Sequence, residues 1–118
     1  MLANAIVCAT VPTTDLERSA RFYEQTLGLT GTRLGLDGGV YYEGGGGTML
    51  HMYETTVPAT GHTVAVFLVE DLDGVIAGLE ARGVTFGYDV PEAEGAEGGF
   101  RGARFEDPDG NVVAVRSY

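Results

Sequence analysis

Few side chains in this sequence could perform acid–base or metal chemistry, because the chain has only two histidines and one cysteine. His51 lies in a run of alternating side chains, Gly47 to Tyr53, which suits a hydrogen-bonding or acid–base group facing a cavity. Cys8 has no neighbouring base that would activate its thiol, and a lone buried cysteine usually only fills space. His62 directly follows the stretch 57–61, which is predicted to link two halves of the chain. These residues are more typical of a binding pocket than of an active site with a full set of catalytic groups.

The residues that could position these groups form one plan that occurs twice. Asp15 and Asp71 each open a helix-like segment after a strand-like run. Two β-like runs begin at Gly47 and Gly110, and these glycines lie further apart in the chain than the two aspartates do. The larger spacing indicates an insertion in the second copy, which we place in the Gly- and Glu-rich stretch 91–102. Equivalent positions in the two halves can therefore be compared directly.

Each copy has the order strand, helix and three strands, which predicts an α+β fold of two βαβββ modules. The predicted strands cover 5–11, 30–36, 40–43, 48–53, 63–69, 84–89, 102–106 and 111–116. The predicted helices cover 16–27 and 72–82. We expect one domain over 1–118, with a first module at 1–56, a linker at 57–61 and a second module at 62–118.

The charge composition excludes several classes of partner. The formal net charge is -10, and all seven cationic residues are arginine, so binding to nucleic acid or to an anionic membrane surface is not expected. No apolar run approaches the roughly 20 residues needed to span a bilayer, and the first residues lack the pattern of a signal peptide. The single cysteine favours a cytoplasmic location. The acidic balance would suit a cationic ligand, although solubility is the simpler reason for it.

Three segments resemble the vicinal oxygen chelate superfamily, which includes glyoxalase I, extradiol dioxygenases and the bleomycin- and fosfomycin-resistance proteins. They are PTTDLERSARFY at 12–23, LGL at 27–29 and FEDPDGN at 105–111. The resemblance covers essentially the whole chain. It implies two half-open curved sheets with outer helices, a cavity between the modules, and a homodimer that can pair modules between chains.

The resemblance also implies where a metal ion would be held, namely on the first and last strands of each module. The corresponding residues here are Cys8, His51, Val64 and Ala114. Val64 and Ala114 have no lone pair, whereas catalytic zinc normally has at least three protein ligands. We therefore expect no metal and no other cofactor.

Because side chains alternate across a strand, the residues that share a face with these four positions should line the cavity. The predicted ligand-binding residues are Cys8, Thr10, Met49, His51, Tyr53, Val64, Val66, Ala114 and Arg116, with Tyr41 and Arg104 from the middle strands. Met49 and Tyr53 could instead fill the space between the sheets. The stretch 91–102 could be a lid over the cavity or a disordered surface loop.

The sequence thus predicts metal-independent binding of a small organic molecule, of the kind that bleomycin-resistance-like proteins use for sequestration. One alternative is a lyase or isomerase that uses His51 as its acid–base group or recruits a divalent metal. A second is an interaction module whose cavity is filled. The sequence leaves open the identity of the ligand, the choice between binding and catalysis, and whether modules pair within or between chains.

Overall fold

The computed structural model describes residues 3–4, 7–33, 39–57, 59–88 and 102–117. Its strands are β1 (Cys8–Thr13), β2 (Gly31–Arg33), β3 (Val40–Glu43), β4 (Met49–Glu54), β5 (Thr63–Val69), β6 (Gly87–Tyr88), β7 (Gly102–Glu106) and β8 (Val112–Ser117). Helix α1 (Leu16–Arg21) continues as a π-helix over Phe22–Thr26, helix α2 is Leu72–Ala81, and Gly45–Gly47 form a 3₁₀ turn. The predicted α+β fold is confirmed.

The strands form two four-stranded sheets with the same topology. Their orders are β1-β4-β3-β2 and β5-β8-β7-β6. In each sheet the first and last strands of the module pair in parallel, and the other pairs are antiparallel. Parallel pairing requires a long crossover connection, which α1 supplies in the first module and α2 in the second. The repeat seen in the sequence is therefore a repeat of the fold.

Both helices begin at the aspartates that mark the repeat. The Asp15 carboxylate accepts from the Arg18 backbone N–H, and the Asp71 carboxylate accepts from that of Gly74. An N-cap aspartate satisfies a backbone donor that has no partner within the helix. Gly28 and Gly83 follow the helices with φ of 79° and 94°, a conformation that favours glycine. These four residues explain why the two helices start and stop at equivalent places in the two modules.

The helices cover one face of each sheet, and the two resulting cores are continuous. The first core consists of Val11, Ala20, Tyr23, Val40, Tyr42, Leu50 and Met52. The second consists of Leu72, Leu79, Val84, Ala103, Phe105, Val113 and Val115. Phe22, Leu27, Val64 and Phe67 pack against both. The modules are thus joined by apolar packing on the helix side of their sheets.

A buried polar cluster also joins the modules; we call it the junction. It consists of Thr13, Ser19, Tyr23, Asp107, Asp109 and Asn111. The Asp109 carboxylate, in the turn between β7 and β8, accepts from Ser19 Oγ at 2.6 Å and from Arg18 Nη2 at 2.7 Å, and Thr13 Oγ1 also donates to it. Burial raises the pKa of Asp109, but hydrogen bonds from Ser19 and Thr13 outweigh it and hold that pKa well below its usual range. The charged form of Asp109 is therefore favoured in the folded protein.

Tyr23 and Asn111 complete the junction around Asp107. Tyr23 Oη donates to Asp107 Oδ2 at 2.7 Å, and Asn111 Nδ2 donates both to Asp107 Oδ2 and to the carbonyl of Pro12, each at 2.8 Å. Burial, and then the charge and hydrogen bond of Asp107, raise the pKa of the Tyr23 phenol well above its usual range. Tyr23 and the hairpin turn at 107–111 both lie in the sequence motifs that carry the family resemblance. The structure adds that this hairpin fastens the second sheet to the first.

Some predicted element bounds differ from the structure. β1 continues through Pro12 to Thr13, beyond the predicted end of that strand. The strand predicted at 84–89 is described only as Gly87–Tyr88, and the strand predicted at 30–36 only as Gly31–Arg33. Residues 91–101, which carry most of the predicted insertion, lie outside the described residues, so the choice between lid and loop is untested.

Candidate functional site

The face of the first sheet that turns away from the helices carries several predicted site residues. On β4, Leu50 and Met52 are buried in the core, whereas Tyr53 is 38% exposed and Met49 and His51 are half-buried. On β1, Val11 is buried whereas Thr10 is exposed and Cys8 half-buried. This is the alternation that the sequence predicted. We call this surface the first open face; its residues are Cys8, Thr10, Tyr41, Met49, His51 and Tyr53.

Three rings of the first open face form an aromatic row. The Tyr41 and His51 rings stack with centroids 4.2 Å apart and planes 9° apart, and they are direct partners across β3 and β4. The Tyr53 ring is 6.0 Å from that of His51, tilted by 34°. Gly39 lies against this row, since a Cβ at that position would come within 2.5 Å of His51 Nε2. Because these rings stack on one another, the row offers its ring edges and the outer faces of its end rings to a flat apolar group.

The corresponding surface of the second sheet is the second open face, defined by Val66, Leu68, Arg104, Ala114 and Arg116. Val66 pairs in register with Ala114, which in turn pairs with Arg104. Val66 and Leu68 are 46% and 58% exposed, whereas Ala114 is only 1% exposed. Arg104 is exposed and Arg116 half-buried. The structure therefore places the apolar residues of β5 and two guanidinium groups on this surface, with Ala114 covered.

Val64 does not follow the predicted alternation. The register of β5 against β8 shifts between Thr63 and Ala65, and the Val64 side chain packs against both cores. An irregularity of this kind re-aims the side chain at the extra residue. The expectation that Val64 shares a face with Val66 and Leu68 is therefore wrong, and the bulge is the reason.

The structure contains an apolar pocket of about 780 Å³ where the two modules meet. Met49 of the first open face and Val66 and Leu68 of the second open face line it. Val7, Ala9, Leu29, Tyr42, Glu43, Gly44, Gly45, Gly46, Thr48, Leu50, Ala65 and Phe67 line the rest. Sequence reasoning missed these because strand alternation directs several of them to the helix side, and others belong to the glycine-rich turn between β3 and β4. Met49, which lies two residues before His51 on β4, links the pocket to the first open face, whereas the three rings of the aromatic row are not among the lining residues.

The four superfamily ligand positions do not form a metal site. In the ladder Cys8 is the partner of Met49, and Thr10 is the partner of His51, so Cys8 and His51 are diagonal neighbours on one face. Their counterparts on the second sheet are Val64, which packs into the cores, and Ala114, which is buried. Among the described residues, no group of three or more His, Cys, Asp or Glu side chains could hold a metal ion. The donor set therefore does not fit the superfamily metal.

The most strongly hydrogen-bonded carboxylates lie away from the two open faces. Asp107 and Asp109 are both occupied in the junction by hydroxyl, amide and guanidinium donors. On the helix side of the first sheet, Tyr42 Oη donates a hydrogen bond to Glu24 Oε2 at 2.9 Å. Burial of the Tyr42 phenol, and then this hydrogen bond, raise its pKa above the usual range. His51 is thus the one predicted acid–base group that the described structure places on the aromatic row.

Comparison with known proteins assigns the chain to a family. The Glyoxalase family, described as the glyoxalase, bleomycin resistance protein and dioxygenase superfamily, matches residues 5–115. The chain therefore belongs to this superfamily, as the sequence motifs predicted. No functionally curated protein matches it. None of the helices in the described part of the chain is long and apolar enough to cross a membrane.

Three solved structures show the range of proteins that share this fold. TnmS3, an antibiotic binding protein from Streptomyces sp. CB03234, is 26% identical, with a TM-score of 0.78 and coverage of 99% of this chain and 98% of that chain. The oxidase ChaP-H2 is also 26% identical, with a TM-score of 0.72 and coverage of 98% and 94%. An integron cassette protein from the mobile metagenome of V. cholerae is 22% identical, with a TM-score of 0.77 and coverage of 100% and 98%, a similarity of fold alone.

Proposed function

We propose that this chain binds a small organic molecule between the two open faces, without a metal ion, and sequesters it rather than converts it. The observation that carries the proposal is the aromatic row beside an apolar inter-module pocket. The row supplies aromatic contact surface, and the pocket supplies an apolar volume. At about 780 Å³ the pocket is within the range of about 300–1,000 Å³ that small-molecule sites occupy.

The composition of the site supports binding more than catalysis. Tyr41 and Tyr53 flank His51, so the ring face of the imidazole is directed at phenol rings. The superfamily includes enzymes as well as binding proteins, and the similarity to TnmS3 is the support for a binding role. Turnover by His51 remains the alternative that the experiment below separates.

We further propose that the binding protein is a cytoplasmic homodimer whose single domain consists of the two modules. Val66, Leu68 and Tyr53 expose 46%, 58% and 38% of their surface in the isolated chain. Clustered exposed apolar side chains usually mark a surface that a ligand or a partner covers. Among the described strands, β2 and β6 each lie at a sheet edge, where an adjoining copy can protect the backbone. A second copy would cover the open faces and enclose the ligand.

A thermal-shift screen against cationic, aromatic and dicarbonyl-derived compounds tests the proposed function. A ligand that binds only the folded protein raises its melting temperature. For a hit, Tyr53→Ala should weaken binding by about 1–3 kcal/mol through lost packing, whereas Val57→Ala, at a residue 63% exposed outside the open faces, should leave affinity unchanged. If the hit is consumed and His51→Ala stops its turnover without weakening its binding, the protein is an enzyme. A screen with no hits would favour an interaction module instead.

A further inference from the structure

The inter-module pocket gathers much of the exposed apolar surface of the described chain. Val7, Val66 and Leu68 line it, and all three side chains are exposed although they are apolar. Among the residues that the structure describes, Tyr53 and Val57 are the further large apolar residues that are exposed. Exposed apolar side chains around a cavity usually mark a surface that a ligand covers. The pocket therefore suits a ligand with an apolar body.

The pocket also has one carboxylate, at the turn between β3 and β4. Glu43 is the only charged residue among the described residues that line the pocket. It ends β3 and pairs in register with Met49 of β4, so these two side chains share the first open face. Thr48, which also lines the pocket, lies at the other end of the same turn. One part of the lining is thus polar and acidic, whereas Val66 and Leu68 of the second sheet are apolar.

The polar side chains of the lining offer hydrogen-bond acceptors. An ionised carboxylate only accepts hydrogen bonds. Thr48 Oγ1 donates its proton to the Gly45 carbonyl at 2.6 Å, and Tyr42 Oη donates its proton to Glu24 Oε2. A hydroxyl has a single proton, so the capacity left to each of these oxygens is as an acceptor. The complementary ligand group is a charged donor such as an ammonium.

The charge of the whole chain acts in the same direction as Glu43. The described lining of the pocket contains no arginine. The net charge of -10 attracts cations at long range, although interactions between exposed charges are largely screened beyond about 8 Å at physiological ionic strength. Glu43 therefore selects the charge of the ligand at contact, and the net charge adds to this selection.

We propose that the ligand is an apolar molecule with one cationic nitrogen, whose apolar body packs on Val66 and Leu68 and whose cation is held by Glu43. This inference rests on the proposed binding function and specifies its ligand class. All three residues line the same pocket, so one molecule can contact the carboxylate of the first sheet and the apolar side chains of the second.

Three fluorescent probes with the same apolar body test the ligand class: the 1-pyrenemethylammonium cation, 1-pyrenemethanol and 1-pyrenecarboxylate. Titrations of the wild-type protein should show the ammonium binding about tenfold more tightly than the carboxylate, with the neutral alcohol between them. Glu43→Gln should bring the two charged probes to within about twofold of each other and leave the affinity for the alcohol unchanged. Leu68→Ala should weaken all three probes by a similar factor, because it removes apolar contact and no charge.

The control is Glu106→Gln, which makes the same change of charge at the equivalent position of the second module. The sequence separation that relates Gly47 to Gly110 also relates Glu43 to Glu106, and Glu106 is not among the residues that line the pocket. Both glutamates are exposed, so neither substitution should disturb folding. Glu106→Gln should retain the preference for the ammonium.

Three results would overturn the ligand class and leave the binding function intact: a carboxylate that binds as tightly as the ammonium, a preference that survives Glu43→Gln, or one that Glu106→Gln abolishes equally. If no probe binds, the hits of the thermal-shift screen take their place. Hits that Glu43→Gln weakens and Glu106→Gln does not would support the ligand class, whereas hits that Glu43→Gln leaves unchanged would overturn it. If the screen also yields no ligand, the binding function itself fails and the ligand class fails with it.

Discussion

Replacing Asp109 with alanine should destabilise the protein, because this carboxylate fastens the two modules together. It accepts hydrogen bonds from Thr13 and Ser19, which are 1% and 0% exposed. It also accepts from Arg18, whose side chain is 41% exposed, and from the exposed Thr14, and water can replace it at both of those donors. The loss is therefore concentrated at the two buried hydroxyls.

The magnitude follows from how many buried donors are left without an acceptor. An unsatisfied buried donor costs about 1–3 kcal/mol. Thr13 and Ser19 also hydrogen-bond to each other at 2.8 Å, and Thr13 Oγ1 lies 3.1 Å from the carbonyl oxygen of Asp15, so each hydroxyl keeps a possible acceptor. With a small further contribution from the lost Arg18 ion pair, we expect the free energy of unfolding to fall by about 1–3 kcal/mol.

Urea denaturation at pH 7 and equal protein concentration measures this loss. Glu80→Gln, which removes the same charge from an exposed position on α2, should stay within about 0.5 kcal/mol of the wild type. Because the folded-state pKa of Asp109 is depressed, its contribution is present above the unfolded pKa of about 4 and is lost as the pH falls through the lower folded pKa. The wild type should therefore lose stability in acid faster than Asp109→Ala. A loss at pH 7 no larger than that of the Glu80→Gln control would refute the role assigned to the junction.

Two further predictions concern the junction and the pairing of modules. Tyr23→Phe should lower the free energy of unfolding by about 1–2 kcal/mol in urea denaturation. Because the folded-state pKa of Tyr23 is raised, the wild type but not the variant should lose this contribution as the pH rises above about 10. Equal dependence of stability on pH in the two proteins would contradict this role of Tyr23. If each site combines modules from two chains, mixing and refolding Tyr41→Leu with Val66→Asp should regenerate one intact site per mixed dimer, measured as restored ligand binding. Failure of the mixture to bind, in a protein that light scattering shows to be dimeric, would place both modules of a site in one chain.

Most of the fold was predictable because the same local signals occur twice. An aspartate N-cap, a glycine after the helix and a glycine-started last strand fix each element boundary from residues that are close in sequence. The matching offsets then identify equivalent positions, which is how His51 and Ala114 could be compared from the sequence alone. Alternation correctly separated Leu50 and Met52 from His51, because β4 is regular along its whole length.

The features that sequence reasoning missed depend on irregular backbone or on distant contacts. The bulge in β5 re-aims Val64, and no glycine or proline marks it. The hydrogen bond from Tyr23 to Asp107 joins residues 84 positions apart, so neither residue's neighbours predict the other. The pocket lining includes Ala9 and Phe67 from the helix side of the strands, because the pocket lies at the meeting edges of the sheets, where both sides of a strand are accessible.

The most direct test of the central claim is the ligand affinity of the protein before and after exhaustive dialysis against a chelator, with elemental analysis of both samples. Metal-independent binding predicts the same dissociation constant in both samples, no change on adding back Zn²⁺ or Ni²⁺, and no stoichiometric divalent metal in either. About one divalent metal ion per chain that persists through dialysis against metal-free buffer, or an affinity that falls on chelation and returns with the metal, would contradict the claim and restore the superfamily's metal chemistry to this site.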